Sequence, residues 1–152
     1  MGKNKMAFIN KDQVPIVHVG KEQEIIIMVG YPGSGKSTIA KSLCDSSPDR
    51  YEYISGDVHK TSAKMIKMAQ PHFDSGKSII FDATNGTRKK RQEYVKFAKL
   101  AKVKCIHVAT IMDISYIRNM QREFPVPKIA YSVYRKNFES PMEDEGFELH
   151  TL

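Results

Sequence analysis

Three glycines, a lysine and two serines occur in the run Gly30-Tyr31-Pro32-Gly33-Ser34-Gly35-Lys36-Ser37, which has the spacing G-x-x-x-x-G-K-S. These residue types suit a polyphosphate. The glycines let the backbone take positive φ and come close to phosphate oxygens. The N–H groups of Gly33, Ser34 and Gly35 then form an anion nest at the start of a helix. Lys36 is spaced to reach β- and γ-phosphates and the Ser37 hydroxyl to reach Mg²⁺, with Thr38 next in the same turn. The flanks agree. Ile25-Ile26-Ile27-Met28-Val29 reads as a buried strand before the loop, and Ser37–Cys44 reads as a helix after it.

Other groups capable of chemistry follow apolar strand candidates. In Ser55-Gly56-Asp57, the carboxylate is either a general base for an attacking hydroxyl or the N-cap of a segment beginning at Val58. Ile79-Ile80-Phe81-Asp82 places a carboxylate where P-loop proteins approach the Mg²⁺ shell. Thr84 and Asn85 follow it, and Asn85 reads as a turn residue. Arg88 and Arg91 open a helix and are either phosphate contacts for a nucleic-acid strand or a solvated face. Arg118 and Arg122 stand four apart in a short helix stopped before Pro125. They read as lid arginines closing on a triphosphate, or as an exposed basic helix. The histidines have no ligand spacing; His107 reads as a core residue of a strand, and Met65 and Met68 as core-facing.

These positions need a scaffold. Strands are expected at 25–29, 51–55, 78–81, 103–110 and 147–152, and helices at 37–44, 60–73, 88–101, 115–123 and 128–137. Alternation of this kind implies a parallel sheet covered on both faces, a three-layer α/β domain with a short lid helix. Residues 1–23 read as a polar arm and 24–152 as one domain. The net charge of +7 favours a polyanionic partner. The cluster Arg88-Lys89-Lys90-Arg91 and the row Lys60, Lys64, Lys67, expected on one helix face, concentrate that charge. Cys44 and Cys105 show no metal spacing and read as reduced thiols of an intracellular, cytoplasmic or nuclear, protein. No membrane-spanning run, signal peptide or complete myristoylation signal is visible.

Taken together, the chain resembles the polynucleotide 5′-hydroxyl kinases, most closely the kinase domain of the polynucleotide kinase 3′-phosphatases. The resemblance runs from about Ile25 to Glu148. It is carried by the Gly30–Thr38 loop, Asp57, Phe81-Asp82-Ala83-Thr84-Asn85, Arg91, Arg118–Arg122, Tyr134–Pro141 and Glu145-Gly146-Phe147. It implies a P-loop NTPase-type kinase that uses ATP and Mg²⁺ to phosphorylate the 5′-hydroxyl end of DNA or RNA, as in nucleic-acid end repair. It also implies roles. Lys36 and Ser37 hold ATP and Mg²⁺, Asp57 is the general base, and Asp82 lies near metal and acceptor. Arg122 is the lid arginine, and Arg91 faces the substrate strand. The chain departs from the family in having Ser55-Gly56 where Asn-Arg is common, with Lys60 a candidate to compensate. It also lacks an Asp-x-Asp-Gly-Thr phosphatase signature, so a 3′-phosphatase or ligase is expected as a separate partner. A small-molecule or nucleotide kinase on the same fold, and a catalytically silent end-binding module, are the competing readings.

Overall fold

The computed structural model describes residues 23–152; the proposed arm lies almost entirely outside the described residues. Five parallel strands form one sheet in the order β2-β3-β1-β4-β5. They are β1 (Glu24–Val29), β2 (Tyr51–Ser55), β3 (Ser78–Asp82), β4 (Lys102–His107) and β5 (Glu148–Thr151). The helices are α1 (Lys36–Ser46), the single turn α2 (Gly56–His59), α3 (Ser62–Asp74), α4 (Arg88–Ala98), α5 (Met112–Met120) and α6 (Lys128–Asn137). A 3₁₀ turn at Glu143–Glu145 precedes β5. Among the described residues no helix is long and apolar enough to cross a membrane.

Strand alternation divides the core between two faces. Ile25, Ile27, Val29, Ile79 and Phe81 pack with Met65 and Ala69 of α3 and Tyr94 and Ala98 of α4. Ile26, Met28 and Ile80 pack with Ala40 of α1. β1 and β3 are buried on both faces, so they read in sequence as unbroken apolar runs. β1 pairs with β3 on one side and β4 on the other, Met28 lying opposite Asp82 and Val29 opposite His107. The chain leaves β1 towards β2 and crosses from β3 to β4, so the order switches beside β1. A parallel sheet opens its ligand crevice at the carboxyl ends of strands at such a switch.

Several boundaries differ from expectation. The helix expected at 60–73 starts two residues later and runs Ser62–Asp74, because Lys60 takes φ 72° and ends the separate turn α2 before it. Thr61 then caps α3, its Oγ1 accepting from Lys64 N at 3.2 Å. Lys60 therefore does not share a helix face with Lys64 and Lys67. Met68 is 46% exposed while Met65 is buried. The strand expected to reach Thr110 ends at His107, and that histidine is half-buried against Phe138. Burial and the charge of Arg91 push its pKa down.

The largest correction concerns Arg91, expected to face a substrate strand. Its side chain is wholly buried. Arg91 Nε and Nη2 donate to the two Glu145 carboxylate oxygens at 2.9 and 3.0 Å. Nη1 donates to the Asn85 carbonyl at 3.0 Å and Nη2 to the Glu139 carbonyl at 2.8 Å. A guanidinium enclosed this way has no surface for a phosphate. Arg88 is also engaged, with Nη2 3.1 Å from Asp144 Oδ1, and is only partly exposed. Of the cluster, Lys89 and Lys90 are the exposed cations. Removing one member of a buried ion pair strands the other charge, at a cost of about 3–5 kcal/mol. Arg91→Ala is therefore expected to lose about that much stability in urea unfolding; a change under about 1 kcal/mol would refute the structural role.

Candidate active site

The loop after β1 wraps the N-terminus of α1. Gly33 and Gly35 have φ 79° and 104°, conformations that disfavour a side chain. Gly33 has a second reason, since a Cβ there would lie 2.3 Å from the Ser115 carbonyl of α5. The loop is thus seated directly on α5. Thr110 Oγ1 and Arg118 Nη1 donate to the Ser34 carbonyl at 2.7 and 3.3 Å. Tyr131 of α6 donates through its hydroxyl to the Pro32 carbonyl, and also to Ser115 O at 3.2 Å. Lys36 is buried, with Nζ donating to the Tyr31 carbonyl at 3.2 Å. Burial pushes its pKa down, against the raising effect of Asp82 and Asp57, and Arg122 adds to the depression. A polyphosphate beside Nζ would restore the charge that burial disfavours.

Asp82 closes the other side. Its Oδ2 accepts from Ser37 Oγ at 2.7 Å and from the Tyr53 hydroxyl. Asp82 Oδ1 and Ser34 Oγ are buried and have no hydrogen-bond partner among the described residues. An unpaired buried polar group costs about 1–3 kcal/mol. One of these orphans is an acceptor beside a hydroxyl, and the other is a donor inside the anion nest. That chemistry fits a hydrated Mg²⁺ at Ser37 and Asp82 and a phosphate oxygen at Ser34. Among the described residues no three His, Cys, Asp or Glu side chains cluster. A cation at Ser37 and Asp82 would therefore complete its shell with phosphate oxygens and water, the habit of Mg²⁺.

Asp57 is not the cap of its helix. Ser55 is, with Ser55 Oγ accepting from Asp57 N at 3.1 Å. The Asp57 carboxylate is 68% exposed and meets Arg122, Nη2 to Oδ2, at 3.1 Å. The departure at Gly56 has a local cause: a Cβ there would lie 2.7 Å from Ala83 Cβ. Only glycine lets the turn that carries Asp57 pack on the loop after β3. Asn85 in that loop shapes the chain as expected. It has φ 45°, its Nδ2 donates to the Met28 carbonyl at 2.8 Å, and its Oδ1 accepts from Tyr94 at 3.0 Å.

The expected pairing of Arg118 and Arg122 on one lid face does not hold, because α5 ends at Met120. Arg118 stays on the helix and reaches the phosphate loop; Arg122 lies in the turn beyond and reaches Asp57. That turn is closed by a residue the sequence did not advertise. Asn119, fully buried, donates through Nδ2 to Val126 O at 2.8 Å and accepts from Val126 N at 2.9 Å. Tyr53 was missed as well; its only signal is that it stands two residues before Ser55 on the same strand. Burial first, and then the bond to Asp82, raise its pKa, so the hydroxyl remains a donor.

One cavity of about 890 Å³ brings these groups together: Lys36, Ser37 and Thr38, Tyr53, Asp57, Lys60, Asp82 and Arg122 all line it. The family model described as an AAA domain matches residues 25–141. The chain belongs to that AAA-domain family. It is 32% identical over 136 residues to the bifunctional polynucleotide phosphatase/kinase of Schizosaccharomyces pombe, a match covering 84% of this chain and 32% of that one. It is 34% identical over 139 residues to a putative bifunctional polynucleotide phosphatase/kinase of Acanthamoeba polyphaga mimivirus, with the same coverages, 84% and 32%. The chain therefore spans about a third of the length of these relatives, and the resemblance drawn from its motifs stands. In structure it is similar to Chaetomium thermophilum Kti12 in complex with ADP-AlF3, with TM-score 0.70 and 18% identity over 84% of this chain and 88% of that one. That likeness shows the fold alone, a central parallel sheet with helices on both faces.

Lys36→Ala is expected to lower phosphoryl transfer by at least about 10²-fold, the scale of losing one preorganised donor to developing charge. Circular dichroism and the unfolding midpoint should stay near wild type. Near-normal turnover in the folded variant would remove Lys36 from the site.

Proposed function

We propose that the chain transfers the γ-phosphoryl group of ATP to the 5′-hydroxyl end of a polynucleotide. The observation that carries this reading is the placement of one exposed carboxylate, Asp57, in the same cavity as the Lys36–Ser37 phosphate loop and within ion-pair distance of Arg122. A carboxylate so placed accepts the proton of an attacking hydroxyl. In-line attack forms the new P–O bond as the bond to ADP breaks, and ADP leaves with the electron pair. Lys36 and Arg122 offset the charge on the transferring group, and Arg118 holds the loop at Ser34. Mg²⁺, when bound at Ser37 and Asp82, would neutralise charge on the phosphates. The work is positioning and electrostatics rather than covalent chemistry.

Polynucleotide as acceptor is supported by the kinship with the polynucleotide phosphatase/kinases and by the charge. Lys60, exposed and carried on the same turn as Asp57, lines the cavity, and so does Lys90. Among the described residues neither is paired with a carboxylate, whereas Arg88 and Arg91 are committed to acidic partners. The nucleic-acid track is therefore assigned to Lys60 and Lys90 with Asp82 at its inner end.

The test is phosphate transfer from labelled ATP to three acceptors: a 5′-hydroxyl oligonucleotide, a free nucleoside and a simple sugar. Labelling of the oligonucleotide alone is expected. Transfer to the sugar or nucleoside but not the oligonucleotide would replace the reading with a small-molecule kinase, and no transfer to any would leave an end-binding module. Asp57→Asn keeps size and polarity but cannot take a proton. Its turnover should drop about 10²-fold or more while ATP affinity stays within about twofold.

A further inference from the structure

A second cavity of about 610 Å³ opens beside the first. Asp57, Lys60 and Arg122 line both, so the two communicate across the base and its arginine. Beyond these and Gly56, the wall of the second cavity is one further carboxylate, Glu123, and the apolar run Phe124, Pro125, Val126 and Pro127. Phe124 is 82% exposed, which is a large apolar face to leave in water. It stands on a turn that is held in shape, because the Asn119 amide pairs with both the N–H and the carbonyl of Val126. Pro125 and Pro127 fix φ on either side of that valine. Opposite, Lys60 holds a left-handed backbone at φ 72°, an uncommon state for a residue with a side chain, with its N–H bonded to Gly56 O at 2.9 Å. The turn that carries Asp57 thus also sets the origin of the Lys60 side chain.

We propose that this cavity is a subsite for the terminal nucleoside of the acceptor, whose base stacks on Phe124 while Lys60 contacts the phosphate that follows it. The proposal rests on the polynucleotide reading and specifies how the strand end is held. A strand end offers a hydroxyl, a flat π-face and a phosphate in that neighbourhood; the cavity offers a carboxylate, an aromatic face and an ammonium. A simple sugar or small alcohol supplies no flat aromatic face for Phe124. Every base has one, so recognition at this position is indifferent to base identity.

The experiment uses the wild-type protein and two single-stranded oligonucleotides of the same sequence and a 5′-hydroxyl end, one with its first nucleotide abasic. Affinity is read by anisotropy of a 3′ fluorophore, and labelling from ATP is measured on the same strands. Stacking of one base is worth a factor of roughly 5–150 in affinity. The abasic strand should bind weaker by a factor in that range, similarly for all four bases at the first position. Phe124→Ala should lose the same factor on the intact strand and nothing further on the abasic one, and Phe124→Trp should retain it. Lys60→Ala should flatten the log–log salt slope by about 0.7. Equal binding of abasic and intact strands by wild type, or discrimination that survives in Phe124→Ala, would overturn the subsite. If the intact strand is labelled in that case, the polynucleotide reading stands without it. If neither strand is labelled while a small molecule is, the reading itself falls and takes the subsite with it.

Discussion

The buried contact between Arg91 and Glu145 is the constraint on which the site depends. Arg91 comes from α4 and Glu145 from the 3₁₀ turn before β5, 54 positions later in the chain. Between these two charges the guanidinium also holds the carbonyls of Asn85 and Glu139. Asn85 in turn ties the loop after β3 to the end of β1 through Met28, and to α4 through Tyr94. That loop carries Asp82 at one end and packs Ala83 under Gly56. The position of the candidate metal-side carboxylate and that of the candidate base are therefore set by one buried cation. A pair of this kind need not add net stability relative to apolar residues of the same shape. Its effect is geometric: four donors with fixed directions leave the loop one arrangement.

The phosphate side of the site is built by a different principle. Gly33 abuts Ser115, Tyr131 reaches Pro32, and Tyr31 stacks on Tyr131 with ring centroids 5.6 Å apart. The loop is pressed between α5 and α6 by packing and short polar contacts rather than by charge. Such a loop needs little reorganisation to receive a triphosphate, which is where preorganised electrostatics gains its effect. The segment beyond α5 combines both principles. Its shape comes from the Asn119 clamp, and the side chains it presents are the half-buried Arg122 and the exposed Phe124. A clamped turn holds an arginine and an aromatic ring at the mouth of the cavity without burying either.

Much of this was legible from residue order. The loop from Gly30 to Ser37 announces itself because its glycines, lysine and serines act locally, through the backbone conformations and polar groups of a single turn. The strands β1 and β3 announce themselves because strands buried on both faces must be apolar throughout, and α6 because its pattern is bounded by Pro127 and ends at Asn137. Less of the charge was legible. Arg91 and Lys90 are neighbours in one basic cluster, yet one is buried and the other exposed. Adjacent helix residues point about 100° apart, and which direction is inward depends on what packs against the helix. The partner that buries Arg91 lies 54 residues away, beyond the reach of any periodicity.

The sequence by itself determined the phosphate-binding loop, the parallel α/β sheet and the two carboxylates at strand ends, because each follows from local backbone chemistry or from the period of a buried strand. Tertiary structure alone decided which cations remain free, that Ser55 rather than Asp57 caps α2, and why position 56 must be glycine. It alone placed Arg122 on Asp57 and Phe124 beside both. These depend on contacts between segments distant in the chain, where the identity of a residue says what it can do and only its neighbours say what it does.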